Sequence, residues 1–167
     1  HLVRTVPAEG LIVSNGCEQS LRDTLDKGCW TPVEFFGGNE GWQMAEVAAD
    51  GSFDVLLNGE KVGHVAWDII GEHNRMNALA VIAAARHAGV DIATACEALG
   101  AFKNVKRRME TKGEVNGVTV YDDFAHHPTA ITTTVAGLRQ KVGAARILAP
   151  LLGCAALNPA YGTTELR

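Results

Sequence analysis

No apolar run in this chain approaches the roughly 18 residues that suggest a membrane span. The four cysteines, Cys17, Cys29, Cys96 and Cys154, form no Cys-x-x-Cys pair, which argues against a zinc ribbon. Nothing at the start resembles a signal peptide. A reduced, cytoplasmic protein whose cysteines serve as small buried hydrophobes is the simplest expectation. An excess of positive charge is also missing. The formal net charge of -4 counts against a general nucleic-acid binder, which is usually basic. There is no internal repeat and no low-complexity segment. Finally, the chain has neither Gly-x-x-x-x-Gly-Lys-Ser/Thr nor Gly-x-Gly-x-x-Gly. If it handles a nucleoside triphosphate, the phosphate cradle lies outside this sequence.

What is present is the composition of a globular protein, 47% apolar and 20% charged. A length of 167 residues suits one ordinary domain or two small or incomplete ones. The opening His1-Leu2-Val3-Arg4 reads as the tail of a helix, and the chain closes after Tyr161-Gly162-Thr163-Thr164 on no finished element. The expectation is a piece of a longer protein.

Leu11–Ser14 and Pro32–Phe36 read as short strands, with a helix over Glu18–Asp26 stopped at Gly28. Trp42–Ala48, Ser52–Leu57 and Lys61–Ile69 read as three extended runs. Asp50-Gly51 and Asn58-Gly59 between them are hairpin signals, so an antiparallel meander is expected. Phe53, Val55 and Leu57 alternate only partly with Asp54 and Leu56, which fits a sheet covered on both faces. Strong helix formers then predict a helix over Asn74–Ala88, ended by Gly89. A second follows over Ile92–Leu99 with Asp91 as its cap. The composition shifts near Gly100 to Lys106. Beyond it, Arg108–Val115 and Gly117–Asp122 read as a strand pair around Asn116-Gly117. A helix over Thr129–Lys141 and a strand over Arg146–Leu151 complete a β-α-β unit, whose right-handed crossover makes its strands parallel.

Three stretches carry chemistry. Gly71-Glu72-His73-Asn74-Arg75-Met76-Asn77-Ala78-Leu79-Ala80 sets two amides and an imidazole at the mouth of a helix. Asn74 suits an N-cap, and an Asn amide, donor and acceptor at once, also suits the mixed edge of an adenine. Lys106-Arg107-Arg108 offers guanidinium forks matched to phosphate oxygens, or else a solvated linker in which Glu110 pairs with an arginine. Tyr121-Asp122-Asp123-Phe124-Ala125-His126-His127-Pro128-Thr129 gathers four ionisable groups where a strand ends. Ligands bind at that end of open α/β sheets. Pro128 keeps His127 extended and lets a helix start near Thr129. The group Asp122, Asp123, His126 and His127 suits a metal-dependent hydrolase, a general base, or a ribose clamp. It is equally a polar turn that satisfies its own backbone. Adjacent side chains on an extended chain diverge, which counts against metal binding by both histidines.

In this order, between Gly71 and Thr129, the three stretches resemble the Mur ligase family, the ATP-dependent ligases of bacterial cell-wall precursor synthesis. The matching signs are Gly-x-His-Asn-x-x-Asn-Ala-Leu-Ala, then Arg107-Arg108-Met109-Glu110, then Tyr121 to Thr129. The wording from Phe102 to Glu110 is most similar to the branch that joins UDP-N-acetylmuramate to L-alanyl-γ-D-glutamyl-meso-diaminopimelate, a recycled murein tripeptide. The branch that adds L-alanine usually has Phe where Met109 stands. One stretch departs: where the family continues with a Glu-Pro-Arg-Ser-like loop, this chain reads Leu157 to Thr164 after an extra Leu-Gly-Cys-Ala-Ala.

The resemblance implies an α/β chain of two parts. Residues 1–106 would be the rear of a P-loop-type central ATPase domain, with its antiparallel meander and helix pair. Residues 107–167 would open a Rossmann-like C-terminal domain. The partners implied are ATP with Mg2+, UDP-N-acetylmuramate and the tripeptide, with no nucleic acid and no membrane. ATP would phosphorylate the muramate carboxylate, and the amine would attack the acyl phosphate. Asn74, with His73 and Asn77, would contact the adenine. Arg108 would reach toward ribose or phosphate as a catalytic and cofactor-binding residue. Asp123 would hold the ribose, with His126 as a catalytic residue in the same cleft; no residue is assigned to a metal. A non-catalytic nucleotide-binding module on the same fold is the rival of a different class. Because the phosphate cradle is missing, the 167-residue chain alone is expected to bind no cofactor tightly and to turn over no ATP with magnesium. Release of phosphate by the pure chain measures this, and steady turnover would refute it.

Overall fold

The computed structural model describes residues 1–149 other than Ile70 and Asn104; residues 150–167 lie outside it. The chain divides into two compact units, the first His1–Phe102, the second beginning at Lys103. Both are α/β.

The first unit is built on a five-stranded mixed sheet in the order β1 (Ile12–Asn15), β2 (Val33–Phe36), β3 (Trp42–Ala45), β4 (Phe53–Leu57), β5 (Glu60–Val65). Strands β1 and β2 run parallel, Ile12 opposite Val33 and Asn15 opposite Phe36, joined by α1 (Gln19–Asp26). The expected meander is present and antiparallel, but it is not a separate layer. Strand β3 joins β2 in parallel through the single pair Phe36–Trp42. At the β4–β5 turn Asn58 has φ 52° and Gly59 φ 86°. A tight hairpin of the favoured hand needs positive φ at both positions, which Asn and Gly tolerate best. Two of the three runs stop early: β3 at Ala45, because Glu46 turns to φ 47°, and β5 at Val65. Beyond Val65 the chain still buries Trp67 and Ile69, and the Trp67 indole donates to the Gly51 carbonyl at 3.1 Å. That side-chain bond takes the place of strand pairing.

Helix α2 (Glu72–His87) packs on β1, β2 and β3, and α3 (Ile92–Gly100) packs on β5 and α2. Ala78, Leu79, Ile82 and Ala83 form the buried stripe of α2 at helical spacing. They meet Trp42, Phe53, Val55 and Val65, all fully buried, so the core lies between this stripe and the sheet. Phe53, Asp54 and Val55 are buried in succession, so both faces of β4 are covered near its start. Asp91 caps α3 as expected, its carboxylate accepting from Ala93 N and Thr94 N. Cys96 is a buried hydrophobe, and burial pushes its thiol up. Cys17 departs from the expectation: it is exposed, and its thiol donates to the Gly37 carbonyl at 3.0 Å. Cys29 is half-buried, and Cys154 lies outside the described residues.

In the second unit β6 (Glu110–Val115) and β7 (Val118–Asp122) form an antiparallel pair, followed by α4 (Pro128–Val142). Strand β6 starts two residues later than expected, because Arg107 and Met109 both take positive φ, 60° and 52°. Of the strand expected over Arg146–Leu151, residues 146–149 show one bridged residue, the buried Ile147. Its far end, and the stretch from Leu157 to Thr164, lie outside the described residues.

Leu79→Ala is expected to lower the unfolding free energy by about 2–5 kcal/mol, since a fully buried side chain leaves a cavity. Val81→Ala, on the half-exposed side of the same helix, is expected to stay within about 0.5 kcal/mol. Urea unfolding of the two variants checks the contrast.

Candidate functional site

The first group of expected residues sits at the start of α2. The helix begins at Glu72 with Gly71 as N-cap, so Asn74 is its third residue and not its cap. The first turn closes on the backbone, with Asn74 N and Arg75 N donating to the Gly71 carbonyl at 3.1 and 3.4 Å. Asn74 is half-buried, while His73 and Asn77 are exposed. The sequence signal for a cap was residue type alone, and the backbone chose a glycine with a positive φ instead.

The position of this turn is set from both ends of the helix. At its far end Arg86 pairs with Glu34 at 2.9 Å, near the start of β2. At its near end the Met76 methyl closes on Gly37, just past the end of β2. A side chain at Gly37 would collide with it, and the positive φ there suits glycine. Helix α2 therefore runs antiparallel to β2 and begins at the carboxyl end of the parallel strands. Beside that end an open groove is lined by Gly16, Cys17, Arg22, Gly37, Asn39 and Glu40. Sequence reading passed over this groove. It also passed over Arg75, which lies buried among the apolar residues of α2.

The second group lies around the end of β7. Asp123 faces inward on its own loop. One oxygen accepts from Met109 N at 2.9 Å, and the other from Ala125 N at 2.8 Å and the Thr134 hydroxyl at 3.4 Å. Asp122 points elsewhere, to Arg107 at 3.6 Å and Lys112 at 3.8 Å. The neighbouring carboxylates thus diverge, as successive residues of an extended chain do. Glu110 accepts from the Arg107 backbone N–H at 3.0 Å and pairs with Lys112 at 2.8 Å. The Lys112 ammonium holds the Glu110 carboxyl low, and the carboxylate raises Lys112 in return.

His127 is extended, as the sequence predicted, and caps α4, which begins at Pro128, one residue before the expected Thr129. His126 is exposed, its ring set edge-on to Phe124 at 5.0 Å. Its Nδ1 lies 2.9 Å from the Phe124 carbonyl, which only accepts. Nδ1 is therefore the donor of that bond. Arg107 lies over the other side of this patch, 4.9 Å from the Phe124 ring centre. Arg108, between two residues of positive φ, is exposed.

Among the described residues no three His, Cys, Asp or Glu side chains group to hold a metal ion. The described residues thus do not fit a magnesium site, nor the hydrolase reading of Asp122, Asp123, His126 and His127. Asn77 presents an exposed amide. A carboxylate offers about four acceptor positions, and Asp123 uses three of them. No helix among the described residues is long and apolar enough to cross a membrane.

Residues 107–157 match the family described as Mur ligase, glutamate ligase domain. UDP-N-acetylmuramate--L-alanyl-gamma-D-glutamyl-meso-2,6-diaminoheptandioate ligase of Haemophilus influenzae is 54% identical over 153 residues, covering 90% of this chain and 34% of that protein. A crystal structure of the like-named ligase from Neisseria meningitides superposes with a TM-score of 0.62 at 77% identity. It covers 64% of this chain and 33% of its own. UDP-N-acetylmuramate--L-alanine ligase of Caldanaerobacter subterraneus is 38% identical over 136 residues, 78% of this chain and 29% of that protein. The chain thus spans about a third of the length of the curated relatives it matches. The three stretches between Gly71 and Thr129, the mixed α/β architecture and these matches agree, and the chain belongs to the Mur ligase family.

Proposed function

We propose that this chain works within an ATP-dependent ligase that joins UDP-N-acetylmuramate to L-alanyl-γ-D-glutamyl-meso-diaminopimelate. Residues 1–106 are the rear of its central ATP-binding domain, and residues 107–167 open its C-terminal Rossmann-like domain. ATP passes its terminal phosphoryl group to the muramate carboxylate. The tripeptide amine then attacks the acyl carbon, and inorganic phosphate leaves as the amide forms. The observation that carries this reading is the match at 54% identity to a tripeptide ligase, against 38% to an L-alanine ligase. Met109, where the L-alanine branch usually has Phe, favours the same side.

Within that enzyme Asn74, with His73 and Asn77, meets the adenine edge. Arg108 reaches toward ribose or phosphate. The remaining acceptor position of Asp123 takes a ribose hydroxyl, and His126 serves beside it. Magnesium accompanies ATP, held by residues outside those described. A cytoplasmic location, without nucleic-acid or membrane partners, belongs to the same reading. The L-alanine ligase and the non-catalytic module are separated by one assay on the natural-length polypeptide. ADP release should follow addition of the tripeptide, with kcat/KM at least roughly tenfold above that for L-alanine. Preference for L-alanine selects the first rival, and no turnover with either amine selects the second.

Two variants test the residue roles. Arg108→Ala in the natural-length enzyme is expected to raise the ATP KM or lower kcat by roughly tenfold, as loss of a charge-assisted hydrogen bond would. Unchanged kinetics would make Arg108 a solvated linker residue. For Asp123, both oxygens receive backbone N–H groups, so an Asn amide must turn its NH2 toward one of them. Asp123→Asn is therefore expected to cost about 1 kcal/mol or more of stability, and Asp123→Ala to weaken ATP binding further. Denaturant midpoints and the ATP KM of both variants are the measurements. Wild-type values in Asp123→Asn would remove Asp123 from both roles.

A further inference from the structure

Each of the other described arginines of the first unit has an acceptor. Arg22 pairs with Glu40 and Arg86 with Glu34, both at 2.9 Å, and Arg4 donates to the Lys27 carbonyl. Arg75 differs. It shares the buried stripe of α2 with Leu79 and Ile82, four and seven residues on, and is 8% exposed. Its Nε is enclosed with no hydrogen-bond partner, and no carboxylate among the described residues pairs with it. A guanidinium keeps its charge at any physiological pH. An enclosed N–H of a charged group, left without an acceptor, destabilises the fold more than a surface contact stabilises it.

Its place in the fold says what would match it. Arg75 stands in the first turn of a 16-residue helix, next to Met76, which closes on Gly37 at the carboxyl end of β2. Long helical side chains lean back toward the helix start. That lean carries the Arg75 stem toward the helix start, where the backbone bears partial positive charge. The only acidic residue of that turn, Glu72, is exposed. The enclosed Nε–H and the helix start are both positive, and among the described residues no salt bridge offsets Arg75. Asn77, assigned above to the adenine, lies on the exposed side of the helix.

We propose that Arg75 is the receiving group of an oxyanion site at the mouth of α2. Its Nε–H and a neighbouring Nη–H take two oxygens side by side, the geometry a guanidinium shares with a carboxylate or phosphoryl edge. The oxyanion is either an acidic side chain of the natural-length polypeptide or a dissolved anion. This site stands independently of the ATP reading.

The test is the melting temperature of the natural-length polypeptide as wild type, Arg75→Met and Arg75→Lys. Each is measured with and without inorganic phosphate, at constant ionic strength set with sodium chloride. Arg75→Met keeps the bulk and removes the charge; in phosphate, where the site is filled from either source, it is expected to melt roughly 5 °C or more below wild type. Arg75→Lys keeps the charge and is expected to fall less. If the anion is dissolved, phosphate raises the melting temperature of wild type but not of Arg75→Met. If it is a side chain, phosphate leaves wild type unchanged while the order wild type, Lys, Met persists. Folding of Arg75→Lys alone among the variants supports the proposal in the same way. In phosphate, an Arg75→Met protein as stable as wild type, a Lys variant less stable than the Met variant, or loss of the fold in both overturns it. In each of those cases the side chain fills space and meets no anion.

Discussion

The first unit depends on one buried donor, the indole N–H of Trp42. The ring is fully buried under α2, and its N–H donates to Glu34 at 2.6 Å. Left without an acceptor, that group would cost about 1–3 kcal/mol. Glu34 takes it with one oxygen and Arg86 with the other, and Arg86 also lies over the Trp42 ring. The pairing of β2 with β3 rests on a single residue pair that includes Trp42. The indole therefore ties together the parallel and antiparallel halves of the sheet and fixes the helix above them. Once the last turn of α2 is held at Glu34, its length puts the first turn at the other end of β2. The placing of His73, Asn74, Arg75 and Asn77 follows from packing at the opposite end of the helix.

The second unit solves its problem with a carboxylate. A two-stranded sheet has little core of its own, and Val115, Val118 and Val120 remain exposed here. Order around the end of β7 comes from Asp123, which gathers donors from the hinge, its own loop and α4. A residue expected to face a ligand proves also to hold the loop that would face it. The two uses are compatible, because a carboxylate has more acceptor positions than this loop fills.

What the sequence disclosed was local chemistry. Asn58-Gly59 specified a hairpin turn, Asp91 a helix cap, and His127-Pro128 a helix start, because each acts on its own backbone. What it withheld depended on the backbone path or on distant residues. Asn74 had the composition of a cap, but the helix had already begun at Glu72, capped by Gly71. Arg107 and Met109 take a left-handed conformation that nothing in their side chains announces; the bonds to Glu110 and Asp123 impose it. Cys17 is a hydrophobe by type and exposed by position, at the rim of a groove that only the fold assembles. The family motifs were legible because they are short and ordered; the burial of Arg75 between two of their residues was not.

The hinge around Arg108 is a stiff lever. The Arg107 carbonyl accepts from Phe124 N at 2.8 Å, and Met109 N donates to Asp123. With both flanking residues wound into a left-handed corner, the base of Arg108 is riveted to the loop after β7. A tilt of that loop must swing the guanidinium in step with it, as a crank turns with its shaft. Lengthening the segment by one residue would shear the rivets rather than add slack.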